Sequence, residues 1–225
     1  MNYPQSDDYI DIHTHEGNHE EGVFILENLM AHEVRTPGNL AGQACTFGIH
    51  PWYLTDNNID QQLESISTFI NHTNMIAVGE AGYDKLRGAS IELQRRAFEE
   101  QILISEENKK PVVIHCVRAW DELLASNKRL NPLMPWLIHG FRGSVELAKQ
   151  LLSKGMYLSF WLGFVLRPES ANLLKSLPKD KIFLETDGAG IDIRTIYKKV
   201  ALDLDLSVDE LKAVIIRNFN NFLHG

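Results

Sequence analysis

Long apolar runs are missing from this chain. Nothing approaches the roughly eighteen consecutive apolar residues that a membrane-spanning helix needs, which argues against a transmembrane helix. Cysteine is scarce. The two present, Cys45 and Cys116, lie inside apolar runs, which excludes a disulfide framework and points to reduced thiols in the cytoplasm. The opening "MNYPQSDD" has neither the basic nor the apolar part of a secretory signal. An excess of positive charge is absent too. The formal charge of −8 argues against a broad basic surface that coats nucleic acid. It does not exclude a small local site, because bound divalent cations would reverse the local sign. Low-complexity tracts, internal repeats and long linkers are also lacking. With 44% hydrophobic and 23% charged residues, positions 1–225 read as one globular domain.

What is present is a rhythm. Short runs rich in Val, Ile and Phe alternate with helix-like stretches: "YIDIH", "VFILEN", "ACTFGIH", "MIAVGE", "VVIHC", "WLIHGF", "MYLSFW" and "IFLETD". Such runs suit strands buried on both faces. Between them, Ile59, Leu63, Ile66 and Phe69 follow helical spacing, and residues 90–109 are charged and free of Gly and Pro. Ser144 is placed to cap a helix that stops at Gly155, and Ser207 with Glu210 makes a capping-box pattern. Strand–helix alternation implies a mostly parallel sheet, and eight strands predict an α/β fold, a (β/α)8 TIM-type barrel. At 225 residues it is leaner than the usual size of about 250. One connection does not fit. A parallel crossover takes roughly a dozen residues or more, and residues 16–22 are fewer. Either "VFILEN" runs antiparallel to the first strand or the first crossover helix is short or missing, so the first quarter of the barrel is expected to be irregular.

Most strand runs end, on their C-terminal side, in a metal-competent residue: His13 and His15, His50, Glu80, His115, His139 and Asp187. In a barrel of this type the active site lies at that end of the strands. Each residue alone reads as an ordinary rim residue or helix cap. Together they do not, because five of the nine histidines fall at this one position. Gathering so many ionisable groups is costly unless they share a positive centre. His13 and His15, two apart on a strand, point to the same face and suit chelation. Nitrogen and oxygen donors without thiolate favour Zn, Mn, Fe or Ni, with Mg where carboxylates and water dominate. Four imidazoles and two carboxylates exceed one tetrahedral site and suit two ions. Cys116 points away from His115 along the strand and reads as packing. His19, His32, His72 and His224 read as loop, helix-end or terminal residues.

The ordered motifs "DIHTH", "GIHPW", "VGEAGYD", "PVVIHC", "HGFRGS", "GMYLSF" and "LETD" resemble those of the TatD family of metal-dependent hydrolases, from about residue 10 onward. That family belongs to the amidohydrolase-like barrels. The resemblance implies two divalent ions (Mg, Mn or Zn) held by His13, His15, Glu80, His115, His139 and Asp187. Glu80 would bridge the ions, with His13, His15 and Asp187 on one and His115 and His139 on the other. It further implies a deoxyribonuclease or exonuclease that cleaves phosphodiester bonds with a metal-activated water. In that reading Asp187, Glu80 and His50 are catalytic, and His50, Arg142 and Trp52 bind DNA or another ester substrate.

Three departures stand out. Val117 occupies a position where the family commonly has Arg, with Arg118 one later, "LETDGAGIDIR" replaces the usual Pro-rich segment after the last strand, and the first crossover helix is shortened or absent. All three touch substrate loops and leave the metal set whole. Two alternatives remain open: hydrolysis of an aminoacyl ester, amide, lactone or phosphomonoester on the same scaffold, or a metal-stabilised barrel without turnover.

Overall fold

The computed structural model describes residues 3–15, 17, 20–33, 35–39 and 42–224, so His19 lies outside the described residues. The eight expected strands all form: β1 (Tyr9–Thr14), β2 (Val23–Met30), β3 (Cys45–Gly48), β4 (Met75–Asp84), β5 (Val112–Val117), β6 (Trp136–Ile138), β7 (Tyr157–Phe160) and β8 (Ile182–Leu184). They follow one another in chain order in one sheet, the strand sequence of a (β/α)8 barrel.

The first connection decides between the two readings of "VFILEN". Strand β1 pairs with β2 in parallel, Tyr9 opposite Val23 and Asp11 opposite Ile25, which overturns the antiparallel alternative. No helix is described between them. The link is workable because the strands are short. An extended chain reaches about 3.3 Å per residue, so a link of eight residues exceeds the length of the six-residue β1. Gly22 ends the return with φ +74, a left-handed turn, and its carbonyl accepts the amide of Tyr9 at 2.9 Å. The irregularity extends further than the sequence implies. Between β2 and β3 the helical turn among the described residues is a single 3-10 turn, Pro37–Asn39.

The chain forms two compact units, with β2 and β6 each running from one into the other. The first, Asn28–Trp136, carries α1 (Ile59–Phe69), α2 (Ile91–Glu107) and α3 (Trp120–Leu130) around β3, β4 and β5. All ten residues of β4 are buried. Helix α2, capped by the Ser90 hydroxyl on the Leu93 amide, buries Gln94, Ala97, Phe98, Gln101, Ile102 and Ser105 along one face. The two glutamines on that stripe grip strand ends. Gln101 Oε1 accepts the Ile49 amide at 2.7 Å and its Nε2 donates to the Ile49 carbonyl at 3.3 Å. Gln94 does the same for Asp84, at 2.8 and 2.9 Å. An apolar side chain would leave those buried backbone groups unmatched.

Among its described residues the second unit contains β1, the start of β2, β7, β8 and the helices α4 (Val145–Leu152), α5 (Leu162–Val165), α6 (Ser170–Ser176), α7 (Ile193–Asp203) and α8 (Val208–His224). The expected caps are in place. Ser144 Oγ accepts the Leu147 amide at 3.3 Å, although α4 closes at Ser153 and Gly155 turns left-handed two residues later. Ser207 and Glu210 exchange bonds at 3.2 and 2.8 Å as a capping box. Fully buried Tyr197, on α7, accepts the Ile10 amide at 3.0 Å and donates to the Ile10 carbonyl at 3.2 Å. Removing the hydroxyl orphans both buried groups. Tyr197→Phe is therefore expected to cost about 1–3 kcal/mol, read as a lower denaturant midpoint at unchanged slope.

No helix among the described residues is long and apolar enough to cross a membrane.

Candidate metal centre

In the first unit, His50, Glu80 and His115 come together, all buried, each able to offer a ligand atom within 4.8 Å of the others. His50 follows β3, Glu80 stands in β4 and His115 in β5. Glu80 Oε1 lies 2.7 Å from His115 Nδ1 and 3.3 Å from His50 Nε2. The Glu80 backbone is fixed by Asn28, whose Oδ1 accepts the Glu80 amide at 2.9 Å and whose Nδ2 donates to Oε2 at 3.4 Å. His50 Nδ1 accepts the Trp52 amide at 3.1 Å, so the neutral ring carries its proton on Nε2, toward Glu80.

The backbone makes this close approach possible through glycine. A Cβ on Gly82, at φ +151, would lie 1.9 Å from the His115 carbonyl oxygen. Gly82→Ala must push β4 from β5 at His115. A loss of about 3 kcal/mol or more is expected on denaturant unfolding, together with loss of divalent-cation binding at this cluster.

His115 is held on both sides. Its Nε2 lies 3.2 Å from Asp84 Oδ2, the oxygen that also accepts the Trp52 indole N–H at 2.6 Å. Asp84 Oδ1 accepts the amides of Leu86 at 2.7 Å and Arg87 at 3.1 Å. Burial pushes the Asp84 carboxyl up, but the Trp52, Leu86 and His115 donors outweigh it and leave it below the usual carboxylate range. Half-buried Trp52 has the Arg87 guanidinium 4.0 Å over its ring. Burial pushes the neighbouring Cys116 thiol up to about 12, which fits packing rather than ligation.

In the second unit, His13, His15 and Asp187 form one group within the same 4.8 Å, and His139, Glu185 and Asp187 another. Asp187 Oδ1 is 3.7 Å from His13 Nε2 and 3.8 Å from His15 Nε2. Asp187 takes a left-handed φ of 52, and its amide donates to the His13 carbonyl at 3.1 Å, tying the end of β8 to β1. Fully buried Glu185 accepts the Ser159 hydroxyl at 2.5 Å through Oε2 and faces His139 Nδ1 at 3.6 Å through Oε1. Asp11 is nearly as deep. Burial raises its carboxyl to about 7, against the Thr186 hydroxyl and amide that lower it. Beside this group a cleft is lined by Thr14, His15, Glu20, Gly188 and Asp192 among others. Arg194 spans it. Its Nη1 meets Glu20 at 2.5 Å and Asp192 at 3.3 Å, and its Nη2 donates to the Glu21 carbonyl at 2.7 Å.

Every residue named from the sequence as a ligand therefore falls in one of these clusters. Arg142 does not: it is exposed after β6, and no hydrogen bond or ion pair joins it to a described residue. Sequence reasoning missed Glu185, Asp84 and Asn28. Glu185 and Asn28 stood inside the strand runs "IFLETD" and "VFILEN", and Asp84 ended the motif "VGEAGYD"; acidic or amide residues in apolar runs are the signal that finds them.

The family model for TatD related DNase matches residues 39–224. The chain belongs to the TatD family. A 3'-5' ssDNA/RNA exonuclease TatD from Cronobacter turicensis is 31% identical over 176 residues, 72% of this chain and 63% of that protein. Among solved structures, the TatD homologue YJJV of Escherichia coli K12 superposes with TM-score 0.80 at 20% identity, covering 97% of this chain and 98% of that one. A TatD-family hydrolase from Entamoeba histolytica gives 0.76 at 18%, covering 96% and 98%. These likenesses show the fold, the TIM-type barrel of the TatD proteins. The chain spans about half to two thirds of the length of the curated relatives it matches, with 54% and 63% covered in two of them.

The TatD donor set fits a hard or borderline divalent cation. It is all imidazole nitrogen and carboxylate oxygen, it excludes thiolate, and it keeps the buried Glu185 and Glu80 carboxylates beside histidines.

Proposed function

We propose that this chain is a divalent-metal-dependent hydrolase that cleaves phosphodiester bonds in DNA, acting as one domain in the cytoplasm. The observation that carries the reading is the donor set: imidazoles and carboxylates gathered at strand ends in a TatD-family chain. The activity named for the Cronobacter turicensis relative, a 3'-5' ssDNA/RNA exonuclease, supports it, as does cysteine usage for the compartment.

His13, His15, Glu80, His115, His139 and Asp187 would hold two ions (Mg, Mn or Zn). Bound there, such ions supply Lewis acidity to a phosphodiester oxygen and lower the pKa of water. The side chains do the rest. Asp187 orients the attacking water and takes its proton. His50, protonated on Nε2, would share that N–H between Glu80 and a phosphoryl oxygen. Exposed Arg142 is free to fork onto a phosphate of the bound strand.

The test is a substrate panel on metal-free protein reconstituted separately with Mg, Mn and Zn. Turnover of single-stranded DNA is expected with at least one ion. Turnover confined to a lactone, amide, aminoacyl ester or phosphomonoester would assign a sibling activity. Stoichiometric metal without turnover would assign a scaffold.

A further inference from the structure

We propose that Asp84 is a positioning residue that fixes the tautomer of His115, and that Trp52 acts through Asp84 rather than by stacking on substrate. The reasoning is hydrogen-bond arithmetic. The Asp84 carboxylate receives the Trp52 indole N–H at 2.6 Å, the Leu86 amide at 2.7 Å and the Arg87 amide at 3.1 Å. Gln94 clamps its backbone amide and carbonyl. An ionised carboxylate so held can only accept. His115 Nε2, 3.2 Å away, must therefore be the protonated nitrogen.

That assignment leaves the lone pair of His115 on Nδ1, which faces Glu80 Oε1 at 2.7 Å. Two acceptors at that distance repel unless a proton or a cation is shared between them. Asp84 thus turns His115 into a donor of electrons on the Glu80 side. Such outer partners fix ring orientation and raise ligand basicity.

Trp52 is committed by the same geometry. Its one donor is spent on Asp84, and the Arg87 guanidinium lies 4.0 Å over its ring. The ring contacts His50 and His115 edge-on, at 4.8 and 5.5 Å between centroids. It is placed to brace the carboxylate, and its covered face is unavailable to a base.

Three measurements test this. In the metal-free protein at alkaline pH, where the ring is neutral, two-bond 1H–15N correlation of the His115 imidazole should show Nε2 protonated. Asp84→Asn, nearly isosteric, should weaken Co(II) binding about 10–100-fold in chelator competition and shift the Co(II) visible spectrum. Trp52→Phe keeps an aromatic ring but removes the donor. It should weaken Co(II) binding in the same direction, leave KM for single-stranded DNA unchanged, and add nothing to Asp84→Asn in the double variant. An Nδ1-protonated His115, unchanged Co(II) affinity in Asp84→Asn, or a Trp52→Phe effect confined to KM would each overturn the proposal. The ion's presence rests on the hydrolase reading. If the wild type binds no divalent cation, that reading fails, while the nitrogen spectrum still decides the role of Asp84.

Discussion

Asp187→Asn is expected to lower kcat on single-stranded DNA by about 10³-fold, within the range general acid–base groups contribute, and to leave the fold intact. The choice of asparagine follows from the backbone. Asp187 holds a left-handed φ of 52, a conformation that asparagine tolerates nearly as well as aspartate, so the amide bond to the His13 carbonyl survives. Only the charge and one acceptor oxygen are lost. The side chain is 36% exposed, so the substitution neither opens a cavity nor buries a new polar group. Near-UV circular dichroism should match the wild type. A metal titration separates lost affinity from lost proton transfer. If kcat at saturating metal stays within tenfold of the wild type, Asp187 is not the base.

Glu80→Gln should abolish divalent-cation binding at its cluster, by about 10²-fold or more in affinity, and DNA cleavage with it. The sign of its effect on stability is the sharper test. Glu80 is 2% exposed and faces His115 Nδ1 and His50 Nε2. Without a cation, a buried carboxylate is a cost that the neutral amide avoids. The metal-free variant should therefore melt at or above the metal-free wild type. Adding cation should reverse the order, because ligand binding stabilises the native state by about 2.7 kcal/mol at a concentration of 100 Kd. Thermal melts with and without chelator read both terms. A wild type that gains nothing from cation, or a variant that gains equally, would remove Glu80 from the metal set.

The strands were legible because both-face burial writes continuous apolar runs, and ten buried residues of β4 are the clearest case. Helix starts were legible where caps are local: Ser144 and the Ser207–Glu210 pair each bond within three residues. The histidines and carboxylates that cluster were legible because a polar residue ending an apolar strand has few other reasons to be there. The partners that arrange those side chains were not. Gln101 grips Ile49 across 52 positions, and Asn28 grips Glu80 across the same separation. Nothing in a local pattern encodes such pairings, and glutamine on a helix reads as a solvated residue. The bare first crossover was half legible. Its length excluded a regular helix, but strand direction is set by pairing, which one sequence does not display.

The Arg194 clasp between Glu20 and Asp192 responds to ionic strength. Its partners Glu20 and Asp192 are carboxylates near solvent, and mobile ions screen such contacts over about 8 Å at physiological salt. Salt therefore loosens the link between Glu20, just ahead of β2, and the start of α7. Amide exchange at Glu21 and Gly22 should accordingly quicken as ionic strength is raised, while the buried strands keep their protection.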